Sequence, residues 1–106
     1  MDIEKLLKEL KAQLFGLLEG NFNEFKPQLQ KEITLFLEQS KDKLTRWTLL
    51  LADQSITKDE FEWLIKSQKD LLTLKALQTA GISKIRINNL KNSIIQTIIK
   101  TVFMVI

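Results

Sequence analysis

The densest group of side chains with reactive potential is Asp59, Glu60 and Glu62. Carboxylates in pairs can divide the general acid and general base roles of hydrolytic chemistry between them. Here they follow Thr57 at the start of a helical pattern, where carboxylates offset the macrodipole and cap free N–H groups. A structural role accounts for them. The chain has no His, no Cys and no Tyr. It therefore lacks an imidazole base, a thiol nucleophile and a disulfide framework. No residues stand at metal-ligand spacing, and there is neither a glycine-rich phosphate loop nor a nucleophile elbow. No catalytic, cofactor or metal site is assigned, and a non-enzymatic protein is expected.

The remaining candidates are surfaces, and the first is basic. Residues 1–70 hold eleven bases and thirteen acids, a formal −2. Residues 71–106 hold Lys75, Lys84, Arg86, Lys91 and Lys100 without one acid, a formal +5. Blocks of opposite sign predict that the tail lies against the acidic N-terminal part or meets something anionic. Lys84, Arg86, Lys91 and Lys100 are the candidate membrane or anion contacts. Nucleic acid is not an expected partner. Of 16 bases only Arg46 and Arg86 are Arg, the residue that reads bases bidentately, and no DNA- or RNA-binding signature is present.

The second candidate surface is apolar: Trp63, Leu74 and Leu77 on one segment, and Ile94, Ile98 and Val102 on another. Four amphipathic helices must carry these residues, over about 3–19, 24–53, 58–80 and 84–106, within one helical domain spanning 1–106. In the first, Ile3, Leu6, Leu7, Leu10, Leu14, Leu17 and Leu18 share a face, with Asp2 as N-cap and Gly20-Asn21 as the stop. In the second, Phe22, Phe25, Leu29, Ile33, Phe36, Ser40, Leu44, Trp47 and Leu51 form a stripe with an 11-residue repeat. At ~3.67 residues per turn such a stripe keeps to one side of a nearly straight helix. Pro27 suits its first turn; the helix is expected to run unbroken, the polar run around Ser40 being the one place where it could bend or break.

The third helix starts at a capping box, Thr57 with Glu60, and a hydrophobic staple, Ile56 with Phe61. It is expected to run to Ala80, with Gly81 as left-handed cap and Ile82 folding back toward Leu77. On a continuous helix Phe61, Leu64, Ile65, Leu71 and Leu72 lie opposite Trp63, Leu74 and Leu77. A helix apolar on two sides needs two neighbours, so Trp63, Leu74 and Leu77 are assigned to an interface. Trp47 and Trp63 could each anchor a partner surface or fill a core, and burial tendencies favour core filling for both. The fourth helix carries a wide arc, Ile87, Leu90, Ile94, Ile95, Ile98, Ile99, Val102 and Ile106, expected to be buried in the fold or an oligomer seam.

The expected architecture is all-α: three to four helices in antiparallel hairpins, forming a helical bundle. Its long second helix is expected to overhang and pack, coiled-coil fashion, in a dimer or higher homo-oligomer. The expected function is a self-associating structural or adaptor module, another protein being a further possible partner. The alternative is a peripheral membrane-binding or membrane-permeabilising protein acting through the basic tail helix. Without a secretory signal or a long apolar span, a cytoplasmic location is expected.

Overall fold

The computed structural model describes residues 2–20 and 22–106. Among the described residues the chain is helical without a strand. It comprises α1 (Ile3–Gly16), α2 (Lys26–Ala52), α3 (Lys58–Lys66), α4 (Lys75–Thr79) and α5 (Lys84–Val105), with short 3-10 turns at Asn23–Phe25 and Lys69–Leu71. Five helices replace the three to four expected.

The Asp2 side chain caps α1 by accepting the Lys5 N–H at 3.2 Å. Leu6, Leu10 and Leu14 are buried along it, and Leu18 stays buried beyond its last turn. The helix ends at Gly16, short of the predicted boundary, and Gly20 takes a positive φ of 77°. Asn21, the other half of the predicted stop, lies outside the described residues.

α2 runs unbroken for 27 residues, with Pro27 in its first turn. At 1.5 Å per residue it is about 40 Å long, close to the 43 Å long dimension of the molecule. Every member of the 11-residue stripe is buried or half-buried, Ser40 included. The helix does not break at Ser40, because Phe36 and Leu44, one turn to either side, are both in the core.

The capping box of α3 is present in both directions. Glu60 N–H donates to Thr57 Oγ1 at 3.1 Å, and Thr57 N–H donates to Glu60 Oε1 at 3.0 Å. Phe61 is buried and Ile56 packs against the same core, as a staple requires. The predicted run to Ala80 is overturned. α3 stops at Lys66, where the Ser67 hydroxyl donates back to the Leu64 carbonyl at 2.6 Å. Beyond it Leu72 leaves the helical region and Leu74 enters the left-handed one at φ 50°.

The cause is burial. On a continuous helix Leu72 and Leu74 point about 200° apart, at 100° per residue, and one core cannot take both. Breaking the helix puts Leu72, Leu74 and Leu77 into one core at 1%, 0% and 0% exposure. The left-handed residue costs on the order of 1–3 kcal/mol. Burying a leucine side chain contributes about 1.5–3 kcal/mol, and three are involved.

A side chain from another helix fixes the restart. The Glu32 carboxylate, on α2, accepts the N–H groups of Lys75 at 2.6 Å and Ala76 at 3.3 Å, so α2 supplies the N-terminal cap of α4. At the far end Gly81 has φ 76° and the Ile82 N–H donates to the Leu77 carbonyl at 3.1 Å, the predicted left-handed cap. Ser83 Oγ accepts the Arg86 N–H at 3.3 Å and starts α5. α5 packs against α1 and α3, and its arc supplies seven buried residues, among them Ile94, Ile98 and Val102, with Thr101 buried beside them. Ile106, expected to be buried with the arc, is exposed instead, because it follows the last turn of the helix.

Three stability measurements check this account. Ile98→Ala should cost about 2–5 kcal/mol in chemical denaturation, as for a large buried aliphatic side chain, while Trp63→Ala should stay within about 0.5 kcal/mol. Glu32→Ala should cost about 1–2 kcal/mol, as for a lost N-cap. It should speed amide exchange at Lys75 and Ala76 more than in the middle of α2; uniform acceleration would mean that Glu32 is no local cap. Thr48 is fully buried and its hydroxyl has no partner among the described residues. Thr48→Val should therefore leave stability unchanged or raise it by about 1 kcal/mol, and a clear loss would reveal a hydrogen bond to that hydroxyl.

Candidate functional site

The structure separates the predicted interface residues. Leu74 and Leu77 turn inward at 0% exposure, whereas Trp63 stands out at 70%. The second apolar face inferred for the third helix does not exist, because the segment breaks between Trp63 and Leu74. Trp47 is half-buried against the core as expected; Trp63 is not core-filling. Ile94, Ile98 and Val102 lie inside the chain's own core.

Exposed apolar side chains gather instead where α1 and α3 begin and α2 and α5 finish. A cleft of about 1180 Å³ opens there, with Leu6, Leu51, Ile56 and Phe103 among its lining and Met104, Val105 and Ile106 beside them. Met104 is 82% exposed. Phe103 is held in place by Phe61, ring centroids 5.8 Å apart, and by the Lys58 ammonium 5.3 Å from its ring centre. The charged residues of the lining include two acids, Asp2 and Glu9, and two bases, Lys5 and Lys58. Both threonine hydroxyls here are already engaged. Thr57 caps α3, and Thr101 Oγ1 donates to the Thr97 carbonyl at 2.8 Å. What remains available to a ligand is apolar contact area, the side-chain amides of Gln13 and Gln54, and charge of both signs.

The basic residues form a second region at the start of α5. Spacings of four and three residues bring Lys84, Asn88 and Lys91 to one side of the helix. With Gln78, Ile82, Ile85 and Ile87 they line a groove of about 700 Å³. Arg86 lies elsewhere, its guanidinium 4.8 Å over the Phe22 ring. Lys100 is exposed near the other end of the helix. The structure thus brings Lys84 and Lys91 together and leaves Arg86 and Lys100 apart from them. Among the described residues two ion pairs form, Lys26 with Glu19 and Lys41 with Glu4 at 3.0 Å, and neither uses a base from residues 71–106. α5 meets α1 through apolar contact, not through charge.

Met104, Val105 and Ile85 were absent from the predicted surfaces. Ile85 had a readable signal, since it lies well off the arc begun by Ile87 and Leu90, and it is 75% exposed. Met104 lies off that arc as well. Among the described residues no group of three or more potential metal-ligating side chains occurs, and no helix is long and apolar enough to cross a membrane. Comparison with protein-family models, with curated proteins and with solved structures finds no match to this chain.

Proposed function

We propose that this chain is a non-enzymatic helical interaction module that self-associates through the cleft formed by α1, α2, α3 and α5. The observation that carries the reading is the exposed lip of Met104, Val105 and Ile106 beside a large apolar cleft. Apolar area concentrated in one concavity is a mark of an interaction site. A second copy is the occupant whose charge fits. The cleft carries two acids and two bases, and a two-fold arrangement can set bases of one copy, Lys5 or Lys58, against acids of the other, Asp2 or Glu9.

Within this reading the fold is an antiparallel bundle. Two ion pairs support it: Glu4, near the start of α1, meets Lys41 in the second half of α2, while Glu19, just after α1, meets Lys26 at the start of α2. The cleft takes the place of Leu74 and Leu77 as the association surface. The alternative, a peripheral membrane-binding or membrane-permeabilising protein acting through the basic tail helix, finds no support in the apolar arc of α5. Ile94, Ile95, Ile98, Ile99 and Val102 are all buried, and using them on a bilayer would require opening the core.

Light scattering over a wide concentration range tests the proposal. The unmodified chain should show a mass above 12.3 kDa that rises with concentration at micromolar levels. Met104→Glu combined with Val105→Glu should return it to the monomer mass with helicity unchanged, since both side chains are exposed. A concentration-independent monomer mass for the unmodified chain would overturn the reading.

A further inference from the structure

We infer that the groove where α4 turns into α5 is a docking surface for an anionic lipid bilayer. It is distinct from the self-association cleft, which lies at the opposite end of α5, and from the buried arc of α5. Three observations converge on it. Ile85 projects into solvent at 75% exposure in the first turn of α5, beside the half-buried Ile82. Lys84 and Lys91 line the same groove, about 10 Å apart along the helix at 1.5 Å per residue. No acid occurs between residues 71 and 106, and among the described residues Lys75, Lys84, Arg86 and Lys91 form no ion pair. The Glu32 carboxylate, which meets α4, is occupied by the Lys75 and Ala76 N–H groups and does not line the groove.

A projecting aliphatic side chain among unpaired lysines matches the two parts of an anionic lipid surface, acyl chain and headgroup. Lysine ammonium groups gain from a diffuse negative surface without needing directional partners. An acidic protein segment would be held better by bidentate arginine. The one arginine here, Arg86, faces the Phe22 ring instead. The bilayer is therefore the occupant the chemistry favours.

Vesicle flotation tests this with the full chain, using phosphatidylcholine vesicles with and without phosphatidylglycerol, at low and high salt. The chain should float with the anionic vesicles only, and high salt should weaken the association. Neutralising both lysines (Lys84→Gln with Lys91→Gln) should lower partitioning about 25-fold, at about fivefold per lysine near the surface. Ile85→Gln should lower it severalfold. The control Lys31→Gln with Lys66→Gln makes the same change in net charge on α2 and α3 and should have little effect. Circular dichroism checks that each variant keeps the parent's helicity. Absence of flotation, equal flotation with neutral vesicles, or an equal loss in the control would overturn the inference. Binding to polyglutamate without binding to vesicles would also overturn it, and would reassign the groove to acidic protein.

Discussion

The Glu32 carboxylate holds together the part of the molecule that the rest of the chain has to be fitted around. By accepting the N–H groups of Lys75 and Ala76 it starts a helix of only five residues, too short to be stable by itself. That start fixes Leu74 in the left-handed region and aims Leu77 inward. Leu77 then receives the Ile82 N–H through its carbonyl, which closes the turn at Gly81 and sets the direction in which α5 departs. The arc of α5 completes the core against α1 and α3. A charged group on α2 thus governs where a helix some fifty residues later enters the fold. Hydrogen bonds to a charged group, at about 1.5–3 kcal/mol, are strong enough for that role.

What the sequence disclosed and what it hid divide along the range of the forces involved. Local signals were legible: the Thr57–Glu60 capping box, the Gly81 cap, the Asp2 cap and the long periodic stripe of α2 all depend on neighbours within a few turns. The break between Lys66 and Lys75 was not. Helical periodicity does mark that region as unusual, since its apolar residues fall on two opposite sides. The same pattern arises from a helix sandwiched between partners and from a helix that breaks so that both sides face one core. The sequence contains no rule to choose between them, because the deciding contact comes from Glu32, more than forty residues away.

That ambiguity propagated to the candidate site. With the helix taken as continuous, Trp63, Leu74 and Leu77 shared an outward face; with the break, two of the three become core and the tryptophan is left on the surface. The exposed residues that matter in the structure, Met104 and Ile85, sit off the apolar phase of α5. Periodicity identifies what is buried, and the surface is what it leaves over. The basic tail was visible from composition alone, but not that Lys84 and Lys91 would line one groove while Arg86 turned to Phe22.

The two surfaces also bear on each other. α5 spans 22 residues, about 33 Å at 1.5 Å per residue, and carries the cleft at one end and the lysine groove at the other. If two copies pair through the cleft as proposed, the lysine groove of each, at the other end of α5, stays outside the contact. Each groove alone offers few charges and one projecting isoleucine, and a single such anchor gives only weak, reversible attachment to a bilayer. Two grooves on one rigid pair change the arithmetic, because the second contact is made at the effective concentration set by the first. Self-association at one end of the molecule would in this way raise the affinity of the other end for an anionic surface, provided that the pair turns both grooves to the same bilayer.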